Sequence, residues 1–168
     1  MSHQITAKQH NSKMCFVCGL NNAFGLQASF YELENNQLAA LFTPGEEHQG
    51  YPGRLHGGLA ATILDETIGR AIMVQQDEIW GVTVEFKVRY RKPVPLGVEL
   101  RVVGRITKDN RRLFEGTGEI LLPDGQTAVE GFGKYIKLPL DDIADFDYEE
   151  QEWKTVLDLE DPKSIDLS

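Results

Sequence analysis

Nothing in this chain is long and apolar enough to read as a membrane span. Met1 to Met14 is polar and lacks the apolar centre of a secretory signal, so the expectation is a cytoplasmic protein. Positive charge is also scarce, with 17 Lys and Arg against 26 Asp and Glu. That balance argues against nucleic acid or an anionic membrane as a partner. Cysteine is nearly absent: Cys15 and Cys18, in Cys-Phe-Val-Cys-Gly, are the only two. One pair is half of a tetrahedral zinc site, and no second pair follows. Neither a tightly bound zinc nor any cofactor is expected; two reduced thiols packing a loop near Phe16 is the favoured reading. A homodimer supplying two more thiolates, or a redox pair, are the alternatives. No Ser or Cys elbow is present, so a serine-hydrolase triad lacks its nucleophile.

What is there fits one globular domain: 168 residues, 41% hydrophobic and 26% charged. The acidity is confined to one end. Residues 139–168 hold 11 acids and 2 bases, so the tail carries the whole net charge of −9 and the body is neutral. Residues 1–14 read as disordered, 15–138 as the folded domain, and 139–168 as a solvated acidic tail with a short helix somewhere in 140–157. Strand patterns cover 26–33 and 37–43, and one long helical stretch covers 57–75. Four more strands follow near 81–91, 98–108, 113–122 and 127–138. The clearest is 81–91, where Val82, Val84, Phe86, Val88 and Tyr90 alternate with Thr83, Glu85, Lys87, Arg89 and Arg91. Antiparallel hairpins with one helix give an α+β fold. The helix is apolar nearly all round, so the sheet is expected to wrap it.

Two features carry chemistry. Tyr51-Pro52-Gly53 is a turn, and His56-Gly57-Gly58 opens the helix, where unpartnered N–H groups can hold an oxygen gaining negative charge. Further along lie Asp65 and Glu66. Glu66 has Arg70 at i+4 and reads as an ion pair. Asp65 shares its face with Ala61, Ile68 and Ile72, a costly place for a carboxylate without partners or a cavity. Gly57 and Asp65 are eight residues apart, about 12 Å along a helix. If both serve one reacting group, they come from antiparallel helices of two subunits, which predicts a two-fold homodimer. His56 reads as a positioning residue rather than a general base. Lys87, Arg89 and Arg91, with Arg54 near the turn, form a basic stripe that suits phosphates; an ordinary charged sheet face is the alternative.

Taken in order, Cys15-Phe16-Val17-Cys18-Gly19 with Gly25-Leu26, Gly50-Tyr51-Pro52-Gly53, His56-Gly57-Gly58, Leu64-Asp65-Glu66, Val82-Thr83-Val84-Glu85 and Tyr90-Arg91-Lys92-Pro93-Val94-Pro95-Leu96-Gly97 resemble the hotdog-fold thioesterases of the phenylacetate-degradation (PaaI-like) type. The resemblance spans about 15–138. It implies an antiparallel sheet around one long central helix, and hydrolysis of an acyl-CoA thioester at the interface of a homodimer, with a dimer of dimers as a further assembly. It also implies site roles. The Gly57 N–H would polarise the carbonyl, Asp65 of the facing subunit would be nucleophile or base, and Thr83 would orient water. His56 and Gly58 belong to the same motif. Several relatives carry Asn six residues before the histidine, where this chain has Gly50; Gln49 or His48 would stand in. A hotdog dehydratase is disfavoured, because His56 precedes Asp65. A non-catalytic acyl-CoA-binding or regulatory protein is the remaining alternative.

Overall fold

The computed structural model describes all residues, 1–168. Its sheet strands are β1 (Ser2–Lys8), β2 (Ser29–Leu33), β3 (Leu38–Phe42), β4 (Ile79–Tyr90), β5 (Leu100–Asp109), β6 (Leu113–Leu121), β7 (Thr127–Pro139) and β8 (Ser164–Asp166). The central helix α1 runs Gly57–Arg70 and tightens into a 3₁₀ turn, Ala71–Val74; a single turn, α2, covers Leu140–Ile143. All strand pairs are antiparallel, in the order β4-β7-β6-β5-β3-β2-β1-β8. The turns are set by local chemistry. Asn36 takes a positive φ between β2 and β3, the Asn110 side chain accepts from Arg112 and Leu113 N–H, and Gly125 at φ +81° closes the β6–β7 hairpin.

Helix α1 lies on the concave side against β3 to β7, with Ile63, Leu64 and Ile68 fully buried. Three glycines on neighbouring strands, Gly104, Gly118 and Gly131, stand in one row across β5, β6 and β7. A Cβ on Gly118 would sit 2.9 Å from Ile68 and one on Gly104 2.8 Å from the Thr67 carbonyl. The row is therefore a shelf without side chains that lets α1 press onto the sheet. No helix is long and apolar enough to cross a membrane.

Three expectations need correction. Residues 1–14 are not disordered, since they contain β1. The acidic tail is not merely solvated: β8 pairs with β1, Asp161 bonds Lys8 at 2.6 Å and the Tyr31 hydroxyl at 2.7 Å, and Ile165 packs on Tyr31, Leu33 and Ala39. The physical reason is that Tyr31, Leu33 and Ala39 need cover beyond the main core, and the two chain ends supply it. Only Leu140–Ile143 of the expected tail helix forms. Finally, the alternation in β4 is not strict. Thr83 pairs with Tyr135 and Glu85 with Lys134, leaving Val84 as a bulge. The bulge turns both Thr83 and Phe86 toward α1, although an odd spacing separates them.

Candidate active site

Asp65 projects from the middle of α1 toward the bulge. The Thr83 hydroxyl donates to its Oδ1 at 2.9 Å, with Oδ2 at 3.2 Å. The Tyr135 hydroxyl lies 3.1 Å from the same Oδ1 and 3.2 Å from the Asp65 backbone oxygen. Thr83 and Tyr135 are directly cross-strand partners, so the β4–β7 register sets both contacts. Half-burial raises the Asp65 pKa above the ordinary carboxylate value; the Thr83 and Tyr135 hydroxyls oppose this, and the neighbouring charge of Glu66 adds to it. Glu66 itself turns away, accepting from Arg70 Nε at 2.7 Å. The adjacent acids thus have different partners.

At the other end of α1, His56 is the N-cap in an extended conformation, and its Nδ1 accepts from Gly58 N–H at 2.9 Å. His56 therefore positions the helix start, and the Gly58 N–H is used. The Gly57 N–H makes no hydrogen bond within the chain. The Gly57 carbonyl accepts from the Tyr90 hydroxyl at 2.6 Å. Around Gly57 is a hollow of about 310 Å³ lined by Tyr51, Arg54, Tyr90, Arg91 and Lys92 among others. Arg91 pairs with Glu130 at 2.8 Å, whereas Arg54 has no ion pair. Lys87 and Arg89 are not brought to this hollow within one chain. They line a separate groove with Glu119 and Glu130, and Lys87 pairs with Glu85.

The His48 ring is fixed between the Gly45 N–H at 2.9 Å and the Phe24 carbonyl at 2.8 Å, so it cannot replace the Asn absent at Gly50. Gln49 is exposed, its Oε1 3.3 Å from the Gly53 N–H. A Cβ at Gly50 would press on the His56 backbone at 3.1 Å. Reading the sequence missed Tyr135 and Tyr90. Neither stands at a diagnostic spacing from Asp65 or Gly57; only strand pairing brings Tyr135 to Asp65.

Comparison with known proteins fits this geometry. Residues 52–129 match the model of the thioesterase superfamily. Acyl-coenzyme A thioesterase THEM4 of Rattus norvegicus is 32% identical over 141 residues, covering 80% of this chain and 58% of that protein. Acyl-coenzyme A thioesterase 13 of Mus musculus is 34% identical over 68 residues, covering 40% of this chain and 49% of that protein. A crystal structure of a thioesterase superfamily protein superposes with a TM-score of 0.67 at 29% identity, covering 73% of this chain and 59% of that one. These matches relate the chain to the thioesterase superfamily, and its fold is a hotdog fold. The chain spans about half the length of the curated relatives it matches.

Proposed function

We propose that the protein is an acyl-CoA thioesterase working at a site shared by two copies of the chain. The observation that carries this is the state of Asp65: a half-buried carboxylate on the central helix, gripped by two hydroxyls mainly at Oδ1, with Oδ2 lightly held. A carboxylate so oriented can take a proton from water or attack a carbonyl itself. The unpartnered Gly57 N–H at a helix start is suited to the oxygen that becomes negative when the thioester carbonyl is attacked. In hydrolysis the water oxygen bonds to the acyl carbon, the carbon–sulfur bond breaks, and the water proton passes by way of Asp65 to the departing thiolate. Thr83 and Tyr135 hold the acid in place. Arg54, Arg91 and Lys92 beside Gly57 suit the phosphates of coenzyme A. The relatives' names supply the substrate class.

Dimerisation is supported by the edge of the sheet. β4 has 12 residues, no partner on its outer side, and Val84 and Tyr90 about half exposed. A long, unprotected edge invites pairing with another copy. Pairing two β4 strands antiparallel would set two α1 helices side by side and let Gly57 of one chain approach Asp65 of the other.

The test is free-thiol release from short, long and aromatic acyl-CoA substrates. Asp65→Asn keeps an oxygen for both hydroxyls and removes the charge, so turnover should fall by roughly 100-fold or more with little change in substrate affinity. Glu66→Gln should leave turnover nearly intact. Binding of acyl-CoA without hydrolysis by the wild type would instead establish the non-catalytic reading, and equal damage from both substitutions would remove Asp65 as the sole acid.

A further inference from the structure

The Cys-Phe-Val-Cys turn has no part in the reaction above, yet it is built around a charged cluster. Cys15 is half-buried and Cys18 fully buried. Their sulfurs and a Glu66 carboxylate oxygen lie within 4.8 Å of one another. The Cys15 Sγ accepts from the Val17 N–H at 3.4 Å and the Cys18 N–H at 3.5 Å. Arg70 is buried beside them, donating to Cys18 Sγ at 3.1 Å, to Glu66 at 2.7 Å and to the His10 carbonyl at 2.9 Å. Its guanidinium thus already contacts two of the three groups, Cys18 and Glu66, that a metal cation would need.

We infer that Cys15 and Cys18 form a redox-active pair, with Cys15 the accessible attacking thiolate, Cys18 the resolving thiol, and a peroxide the oxidant. The surroundings favour each role. Cys15 is pushed down to about 6, chiefly by the hydrogen bond from the Cys18 thiol, aided by the two backbone N–H groups, while burial and the Glu66 charge act the other way. Cys18 is pushed up by that same bond and by burial, so it keeps its proton until needed; Arg70 opposes this and would stabilise negative charge on the Cys18 sulfur as it attacks.

The chemistry balances with hydrogen peroxide. The Cys15 thiolate attacks one peroxide oxygen, a sulfur–oxygen bond forms, the oxygen–oxygen bond breaks, and hydroxide leaves and takes up a proton as water. The Cys18 sulfur then attacks the Cys15 sulfenic sulfur, a sulfur–sulfur bond forms, and the sulfenic oxygen departs as water with the Cys18 proton. Two thiols lose two electrons and peroxide becomes two waters. Oxidation removes the Cys15 thiolate, one of the negative charges beside the buried Arg70 at the end of the helix that carries Asp65.

Because these are the only cysteines in the chain, the test is unambiguous. Full-length reduced protein is treated with hydrogen peroxide and followed by intact mass, peptide mapping and thiol titration. The expected result is loss of two hydrogens per chain, a Cys15–Cys18 crosslink within one chain, and reversal by dithiothreitol. Cys15→Ser should resist oxidation, and Cys18→Ser should stop at the sulfenic stage or proceed to higher acids. Iodoacetamide labelling of the reduced protein should show a midpoint near 6. Crosslinks between chains, inertness under conditions that consume a free-thiol control, or stoichiometric zinc that shields both thiols would overturn the assignment. The wild-type result decides even if a variant fails to fold.

Discussion

At the scale of the residue, Asp65 is a carboxylate held at a cost to the fold. Its pKa is raised by burial, so between the ordinary Asp value and its own higher one the folded chain binds more protons than the unfolded chain. Stability must therefore fall as pH rises through that window, and stay reduced above it. Asp65→Asn should thus unfold at a higher temperature than the wild type at neutral pH, while losing activity. The gain should vanish as pH falls below the ordinary Asp range, where both side chains are neutral. Thermal melts at a series of pH values check this; a variant less stable than the wild type at neutral pH would contradict it. The same raised pKa requires hydrolysis to gain speed as pH climbs through it. Asp65 was legible in the sequence because a lone carboxylate on an apolar helix face demands an explanation. Its holders were only half legible. Thr83 came from the resemblance, and Tyr135 is placed by strand register, which no local spacing encodes.

At the scale of the element, the helix and six of the eight strands are legible in the sequence, the helix from its long apolar run and the strands from alternation bounded by turn residues. The Val84 bulge was hidden for the same reason: Val82 through Tyr90 alternates so evenly that the pattern itself suggests an unbroken strand. What decides is the pairing with β7, where one extra residue sets Thr83 on Asp65. The glycine shelf was equally silent, since Gly104, Gly118 and Gly131 lie on three strands and line up only in the sheet. Gly118→Ala places a Cβ 2.7 Å from the Val103 carbonyl and 2.9 Å from Ile68. Overpacking of this kind should cost about 1–3 kcal/mol, read from denaturant unfolding. A neutral effect would mean that α1 does not rest on the shelf as described.

At the scale of the whole molecule, the two chain ends fold onto each other. Composition pointed elsewhere, because a polar start and an acidic end look solvated until their few apolar residues meet a surface that needs them. Ile165→Ala should therefore destabilise the protein by about 2 kcal/mol or more, as loss of a buried aliphatic side chain does. Acyl-CoA hydrolysis should be unchanged, because Ile165 packs on the outer cluster of Tyr31, Leu33 and Ala39 and has no place at Asp65. The free edge of β4 and the distance along α1 between Gly57 and Asp65 motivate the proposal of a site shared between two chains.

Complementation between two inactive subunits tests that claim most directly. Gly57→Pro removes the N–H and adds a ring whose Cβ would rest on Tyr90 at 3.4 Å, an ordinary contact; the helix should survive, since proline is tolerated at the first helical position and His56 already has the extended backbone, φ −62° and ψ 134°, that a following proline requires. Mixed with an Asp65→Asn subunit under conditions of proven exchange, each heterodimer would hold one site with an intact Gly57 N–H from one chain and an intact Asp65 from the other. Thiol release from acyl-CoA should reappear in the mixture although each parent alone is nearly inactive. Folded parents that exchange freely and recover nothing would contradict a site shared between chains.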